Sequence, residues 1–315
     1  MKSIAVLIIC VCVILSSCTS NRYIDIQVLN PAALTLSTNL TNLYIIEGLK
    51  PTELSNLSII KTRYPRLNYY NQLTNSFNLN LKKNLEESPL FQHTAISIKK
   101  AKEVLMETSN LPNQLKEKQM VIFPGFGLVI DTSHLHVYSN EYGYAYIVFS
   151  LFKVDISNLQ ANTILDTHQF QDTLIWEIQN YSDLRQLPKE AIFEIGKIAA
   201  KKYANHIAPY WTTEERQLFY SNNSLMRGGY NKFVTNDYEG AKAVWEKLYE
   251  TGTRRLAAKS AFNIALACEL LDDLDHCEEW LKRSIKSMQY IEATSYLKII
   301  EKRKAIRPVL NRQIK

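Results

Sequence analysis

The sequence predicts an α+β domain with a mixed sheet, followed by an all-α domain made of repeated helical hairpins. Three observations support this. Apolar residues alternate with period two in several runs before residue 185, helical spacing dominates after it, and one block recurs after 36 residues. The 315 residues are enough for two domains.

The first predicted elements are two strands and a helix. Residues 23–29 alternate between apolar and polar, and residues 43–48 form an apolar run closed by a glycine. Residues 70–91 then show helical spacing, and Pro89 marks the end of that helix. The apolar positions repeat every fourth residue, at Leu73, Phe77, Leu81 and Leu85.

The next elements predict a sheet with a helix on one face. A strand is expected at 94–98, a charged helix at 99–106, and three long strands at 127–138, 144–156 and 164–177. A turn at 139–143 makes the first two long strands an antiparallel hairpin. This order of strand, helix, strand and meander is typical of an α+β arrangement.

The second half is predicted to be helical throughout. A helical stripe that includes Ile192 and Ile195 ends near Trp211, and a further helix is expected at 213–225. The block that begins at Asp237 then aligns with the block that begins at Asp273. Each block contains a small residue near its start, Ala241 in the first and Cys277 in the second. Another small residue lies 12 positions before each of them, at Gly229 and Ala265.

This spacing resembles the tetratricopeptide repeat, in which small residues let two antiparallel helices pack closely. The resemblance implies repeat units at about 222–252 and 258–288, with Trp245 and Leu281 filling the space one turn further along and a capping helix at 290–303. The aromatic residue usual near the start of the first helix and the terminal proline are both missing. A generic helical bundle is therefore the alternative.

The chain begins with features of an export signal. One positive charge at Lys2 precedes an uncharged apolar run, residues 4–15, that is shorter than the roughly 20 residues of a membrane-spanning helix. The following stretch, Leu15-Ser16-Ser17-Cys18, resembles the lipobox of bacterial lipoproteins. The resemblance implies that residues 1–17 are removed and that Cys18 carries lipid. The alternative is an ordinary signal or a buried strand with an incidental cysteine.

The expected domains are therefore a signal peptide at 1–17, an α+β domain at 18–185 and a helical repeat domain at 186–315. A polar stretch at 180–188, closed by Pro188, marks the boundary between the last two. Cys268 and Cys277 fall on packed helix faces, so free core thiols are expected and a disulfide is the alternative. The net charge of +6 is modest and scattered, which gives no case for nucleic-acid binding.

Two further resemblances concern larger parts of the chain. The phrase from Leu81 to Phe91, between two strands, resembles the small domain of the curli secretion lipoprotein and of the activator lipoproteins of penicillin-binding proteins. The whole chain is similar to uncharacterised Gram-negative envelope lipoproteins with C-terminal tetratricopeptide-like repeats. The residues that resemble that family's junction are Gly196, Ile207, Pro209, Trp211, Arg216 and Tyr220. This family implies no established activity.

The sequence contains little that indicates catalysis. His134 and His136 share one face of a predicted strand, and His168 or Asp131 is the nearest further ligand, but no third ligand stands at a motif spacing. Residues 124–127 are interpreted as a turn rather than a phosphate loop, and no nucleophile or zinc motif is present. No catalytic residue, metal, cofactor or small-molecule ligand is therefore predicted, and the protein is not expected to be an enzyme.

We expect a lipid-anchored protein of the cell envelope, in the outer membrane and facing the periplasm, that acts as an interaction module or scaffold. Its helical repeats would bind a protein partner in a groove lined by the first helix of each hairpin. The residues expected there are Met226, Tyr230, Phe233, Lys259, Phe262, Leu266 and Glu269. Burial of Tyr230 and Phe262 as core residues is the alternative for this face. The alternative functions are a subunit of a secretion or pore assembly and an envelope enzyme.

Overall fold

The computed structural model describes residues 21–47, 67–131, 144–160, 163–178 and 189–314. The chain divides into two compact units. The sheet unit is built from the described parts of Asn30–Tyr210 and Leu310–Lys315, and the helical unit from those of Met1–Leu29 and Trp211–Val309. The predicted fold class is confirmed, with a mixed sheet and packed helices first and a run of helices after it.

The elements of the sheet unit follow the predicted order. Its strands are β2 (Asn42–Ile46), β3 (Ala95–Lys99), β4 (Gln119–Asp131), β5 (Tyr144–Asn158) and β6 (Thr163–Ile178). Its helices are α1 (Leu67–Glu86), α2 (Ala101–Thr108), α3 (Asn113–Lys116) and α4 (Lys189–Ile207). The strands lie in the order β3-β2-β4-β5-β6. β2 is parallel to β3 and β4, and β4, β5 and β6 form an antiparallel meander.

Strand β4 begins earlier than predicted, and residues 124–127 lie inside it rather than in a turn. Strand β2 pairs with β4 only as far as Ile122. Pro124 lies beyond that pairing, so the N–H group that proline lacks is not needed for a hydrogen bond to β2. On the other side Pro124 lies opposite Val154 of β5. The expected end of this strand, 132–138, lies outside the described residues.

The core of the sheet unit lies between the sheet and helices α1 and α4. Phe77 of α1 meets Phe126 of β4 edge to face and Phe152 of β5 in a stacked arrangement, with ring centroids 5.2 and 5.6 Å apart. The two helices approach closely at Gly196, where an added Cβ would lie 2.8 Å from Ser76 Cβ. Helix α2 covers part of the opposite sheet face, where Val104 packs with Tyr44 and Val121.

The helical unit contains α5 (Ser224–Phe233), α6 (Tyr238–Thr251), α7 (Arg254–Leu270), α8 (Leu274–Ser287) and α9 (Ile291–Gln313), the last of which ends in the sheet unit. Helices α5 and α6 form one hairpin and α7 and α8 the next. Asp237 and Asp273 cap α6 and α8 by accepting backbone N–H groups, and each follows a residue with positive φ. The local signals at the two turns therefore repeat, as the sequence predicts.

The hairpins pack through small residues. An added Cβ at Gly229 would lie 2.2 Å from the Trp245 ring, and Trp245 Nε1 donates to the Met226 carbonyl at 3.3 Å. Ala241 and Cys277 are fully buried at matching positions. Only a residue without a side chain fits against this indole, which explains the glycine at position 229.

The prediction of a helix at 213–225 is wrong. Tyr210–Phe219 form strand β7, which pairs with β1 (Asn21–Asn30) in a two-stranded sheet. Exposure alternates along β7: Thr213 and Glu215 are exposed whereas Arg216 and Leu218 are buried. Alternation at period two is a strand pattern, and it places one face of β7 against the helices of its unit.

The boundary between the two units does not lie at residue 185, where the sequence predicts it. Helix α4 belongs to the sheet unit, because Ile192, Ile195 and Tyr203 are fully buried in that unit's core. The division falls after Tyr210, and β1 joins the helical unit. The linker expected at 180–188 lies outside the described residues.

Candidate functional site

The predicted partner groove is not an open surface. Helix α7 is buried along 13 successive residues, Ala257–Glu269, which include all four groove residues expected on it. On α5, Met226 and Phe233 are buried and Tyr230 is half-buried. The expectation that these residues line a groove is therefore wrong, and the alternative, that they are core residues, describes their environment.

The chain's own β7 and α9 cover this face. Phe219 of β7 meets Phe262 edge to face, with ring centroids 4.9 Å apart, and Tyr296 of α9 lies 5.3 Å from the same ring. The Lys259 ammonium lies over the Phe219 ring at 5.0 Å. The surface that a tetratricopeptide repeat would offer to a partner is filled here by segments of the same unit.

Glu269, expected at the charged edge of the groove, is the centre of a buried polar network. Its carboxylate accepts from Arg216 Nε at 3.0 Å and Arg216 Nη2 at 3.2 Å, and it also accepts from the Tyr296 hydroxyl and from Arg303. Burial raises the pKa of Tyr296 well above its usual value. Every charge in this network has a partner, so it serves to join β7, α7 and α9.

Tyr230 contacts the start of β1. The Arg22 guanidinium lies between two tyrosine rings, 4.3 Å from the centroid of Tyr220 and 4.4 Å from that of Tyr230. Arg22 also donates to the Tyr230 hydroxyl. Tyr23 beside it is 58% exposed. These contacts fix the first described residues of the chain onto the helical unit.

A cluster of titratable groups lies between β6 and α4. The rings of His168 and His206 stack at 3.7 Å with an interplanar angle of 13°, and His206 Nε2 lies 2.9 Å from Asp166 Oδ2. Burial, followed by the nearby His206, lowers the pKa of His168. The Tyr203 hydroxyl beside them is buried and has no hydrogen-bond partner among the described residues, and burial raises its pKa.

This cluster does not form a metal centre. Within the described ranges, no group of three or more histidine, cysteine or acidic side chains is placed to hold an ion. His134 and His136, the pair considered from the sequence, lie outside the described residues, and the side chain of Asp131 is not described. A stacked imidazole pair beside one carboxylate can exchange a proton.

The sheet unit carries a pocket of about 440 Å³ where α1, α4 and the end of β6 meet. Trp176 and Phe193 supply aromatic walls, and Glu190 and Glu194 supply carboxylates. Gln72 Oε1 is buried there without a partner in the described part of the chain. The remaining lining residues are Asn75 and Lys189. The pocket thus combines aromatic surface with several hydrogen-bond acceptors, a combination that sequence spacing does not reveal.

Cys268 and Cys277 are both free and buried, as expected from their helix faces. Burial raises the pKa of Cys268 to about 11 and raises that of Cys277 further. Thiols in this state are poor nucleophiles, so they act as small packing residues. In the portion of the chain that is described, no helix combines the length and apolarity needed to cross a membrane.

Two family models match parts of the chain. Residues 227–302 match a domain of unknown function, DUF6340, and residues 153–219 match another, DUF8603. The first spans α6, α7 and α8 with most of α5 and part of α9, and the second spans β6, α4 and β7 with the end of β5. A comparison with curated proteins finds no match.

Two of the solved structures that match the chain show distant likeness. A putative neuraminyllactose-binding hemagglutinin homolog from Helicobacter pylori is 16% identical with a TM-score of 0.32, over 53% of this chain and 83% of that one. The PelC dodecamer from Paraburkholderia phytofirmans is 8% identical with a TM-score of 0.27, over 59% of this chain and 99% of that one. These are proteins to which the chain is similar, and scores this low carry no argument about its function.

Proposed function

We propose that this protein is a lipid-anchored component of the cell envelope, tethered to the outer membrane on its periplasmic side, that acts as a protein interaction module or scaffold. The observation that carries the proposal is the stretch Leu15-Ser16-Ser17-Cys18 after an apolar run too short to span a bilayer. A diacylglycerol and further acyl chain on Cys18 would hold the chain firmly, since one chain alone anchors only marginally.

The position of β1 supports a short tether. Two residues separate Cys18 from the start of β1 at Asn21, so the reach between them is at most about 11 Å. Lipid on Cys18 would therefore keep the helical unit at the membrane surface. Tyr23, Tyr220 and Tyr230 lie near that end of β1, and tyrosine is a residue type suited to the level of the lipid headgroups.

The pocket of the sheet unit is the surface we assign to a protein partner, because the inner face of the helical repeats is filled. Trp176 and Phe193 line the pocket with aromatic rings, a side-chain type that attracts cations. Glu190 and Glu194 add carboxylates beside Lys189, and Glu194 also pairs with Lys197 at 3.1 Å. This chemistry fits a lysine or arginine side chain on the partner. The assigned activity is binding, with no reaction.

A photo-crosslinking experiment in cells tests the docking surface. A photoreactive phenylalanine analogue at Phe193 should capture one partner of defined mass, and the double change Glu190→Gln with Glu194→Gln should abolish that capture. The same analogue at Leu105, which is 64% exposed on α2, is the matched control and should capture nothing comparable. Equal capture at both positions, or capture that survives loss of the carboxylates, would contradict the assignment.

A further inference from the structure

Strand β6 is the edge of the five-stranded sheet in the part of the chain that is described. It pairs with β5 along one side, and no described strand lies along its other side. A register shift opposite Ile156 and Ser157 leaves Leu165 without a direct partner, and the pairing is regular from Asp166 to Ile178. Such a long regular edge has backbone groups that no described strand pairs with, and it is a template for another strand.

The backbone groups that face outward can be assigned from two contacts. The Asp172 carbonyl accepts from Ser150 Oγ of β5 at 3.3 Å, so this carbonyl faces β5. The Gln171 carbonyl accepts from Lys202 Nζ of α4 at 3.4 Å, so it faces away from β5. Because the direction alternates along an antiparallel strand, the outward groups belong to odd-numbered residues. In the regular stretch these are Thr167, Gln169, Gln171, Thr173, Ile175 and Glu177.

The sequence of this edge is nearly symmetric about its middle. Residues 167–173 read Thr-His-Gln-Phe-Gln-Asp-Thr, with Phe170 at the centre. If a second identical strand ran antiparallel with Phe170 opposite Phe170, Gln169 would face Gln171 and Thr167 would face Thr173. Each outward backbone group would then meet an outward group of the other copy, and at Gln171 the strand partner would replace the bond from Lys202 Nζ. Amide and hydroxyl pairs of this kind stabilise cross-strand contacts.

The polar side chains favour the same register. With Phe170 at the centre, the imidazole of His168 in one copy faces the Asp172 carboxylate of the other, twice, and an imidazole N–H can donate to that carboxylate. A shift that places Gln169 opposite Gln169 would set Asp166 against Asp172, two like charges. A shift in the other direction, with Gln171 opposite Gln171, sets Asp172 against Phe170 and leaves His168 opposite Leu174. Directly opposed like charges destabilise a strand pair, so the register centred on Phe170 is preferred.

We propose that two copies of this chain pair through β6, antiparallel and centred on Phe170, so that two five-stranded sheets become one. The occupant of the edge is a second copy because the edge is complementary to itself in its polar side chains and in backbone direction. The inference depends on the sheet unit alone and stands whether or not Cys18 carries lipid and whether or not the pocket binds a partner.

Register-specific crosslinking of the full chain in envelope vesicles tests the proposal. Gln169→Cys and Gln171→Cys are made separately, with different tags, and expressed singly and together. The pair should form a mixed disulfide on mild oxidation, since directly opposed residues of an antiparallel ladder lie about 5.5 Å apart at Cα. Each variant alone should give little dimer, and the unaltered chain controls for native cysteines. Equal yields in all combinations, or none in the mixture, would overturn the register.

Matched charge variants test the dimer itself. Gln169→Lys with Gln171→Lys sets like charges opposite each other in the dimer, whereas Gln169→Glu with Gln171→Lys sets opposite charges at the same two exposed positions. Sedimentation of the detergent-solubilised full chain should show twice the monomer mass for the unaltered chain and for the mixed-charge variant, and the monomer mass for the double-lysine variant. A monomer in all three, or a dimer in all three, would overturn the proposal.

Discussion

Asn263 of α7 and Phe219 of β7 are joined by two buried hydrogen bonds. The Phe219 backbone N–H donates to Asn263 Oδ1 at 2.9 Å, and Asn263 Nδ2 donates to the Phe219 carbonyl at 2.8 Å. One side chain thus completes the backbone pairing at the end of a strand. This contact, with the Glu269 network, explains why the face expected to bind a partner belongs to the core.

The first prediction concerns this contact. Asn263→Ala removes both bonds and leaves a buried donor and acceptor without partners, so the free energy of unfolding of the helical unit should fall by about 1–3 kcal/mol. Hydrogen exchange read by mass spectrometry reports that unit separately. Asn231→Ala, at an exposed position of α5, should change little. Equal effects of the two changes would refute the role given to Asn263.

The second prediction concerns the buried charges. Glu269→Gln leaves Arg216 and Arg303 facing a neutral amide in a site where the glutamate side chain has no exposure, so unfolding should become easier by about 3 kcal/mol or more. Glu279→Gln, on the exposed face of α8, is the control and should stay within about 0.5 kcal/mol. Urea unfolding curves measure both. A small loss for Glu269→Gln would mean that this network does not hold β7 and α9 to α7.

The third prediction concerns the close approach of α1 and α4. Gly196→Ala places a methyl group 2.8 Å from Ser76 Cβ and 3.2 Å from the Leu73 carbonyl, so it should destabilise the sheet unit by about 1–3 kcal/mol. Gly228→Ala meets only Val244 Cγ1, at 3.5 Å, and should stabilise helix α5 by up to about 1 kcal/mol. Thermal unfolding of the two variants gives the comparison. A shift of the same sign in both would count against the packing described.

The fourth prediction concerns pH. Because burial and His206 lower the pKa of His168 in the folded chain, the unfolded chain takes up that proton first as the pH falls below about 6.5. The stability associated with neutral His168 is therefore complete above that pH and is lost as the pH falls through the folded pKa. His168→Gln should flatten the fall in unfolding free energy between pH 7 and 5, as measured by urea titration. His93→Gln, at an exposed position, should leave the slope as it is.

The sequence predicts most elements of the sheet unit because its signals are local. The spacing of Leu73, Phe77, Leu81 and Leu85 identifies α1, and long runs of strand-forming residues identify β5 and β6. The repeated Asp caps likewise predict the hairpins of the helical unit. These patterns follow from which side of each element is buried, and a single stretch of chain is enough to show them.

The misplaced elements depend on partners distant in sequence. Strand β7 pairs with β1, which lies nearly two hundred residues earlier in the chain. Its short period-two pattern stands between two helical segments, so the sequence alone favours a helix there. The spacing of the expected groove residues indicates one side of each helix, but nothing local shows that Phe219 and Tyr296 pack against Phe262 there. The pocket and the buried Glu269 network also join segments far apart in sequence. The residues of the pocket and of the Glu269 network are not arranged at the spacing of any known sequence motif.

The central claim, that the chain is held at a membrane by lipid on Cys18, is tested most directly by metabolic labelling with a clickable fatty acid. The unaltered protein and Cys268→Ala should carry the label and have the mass of a chain that begins at Cys18. Cys18→Ala should carry no label and should keep residues 1–17. A mature, membrane-bound protein without label, or label that persists in Cys18→Ala, would contradict the claim.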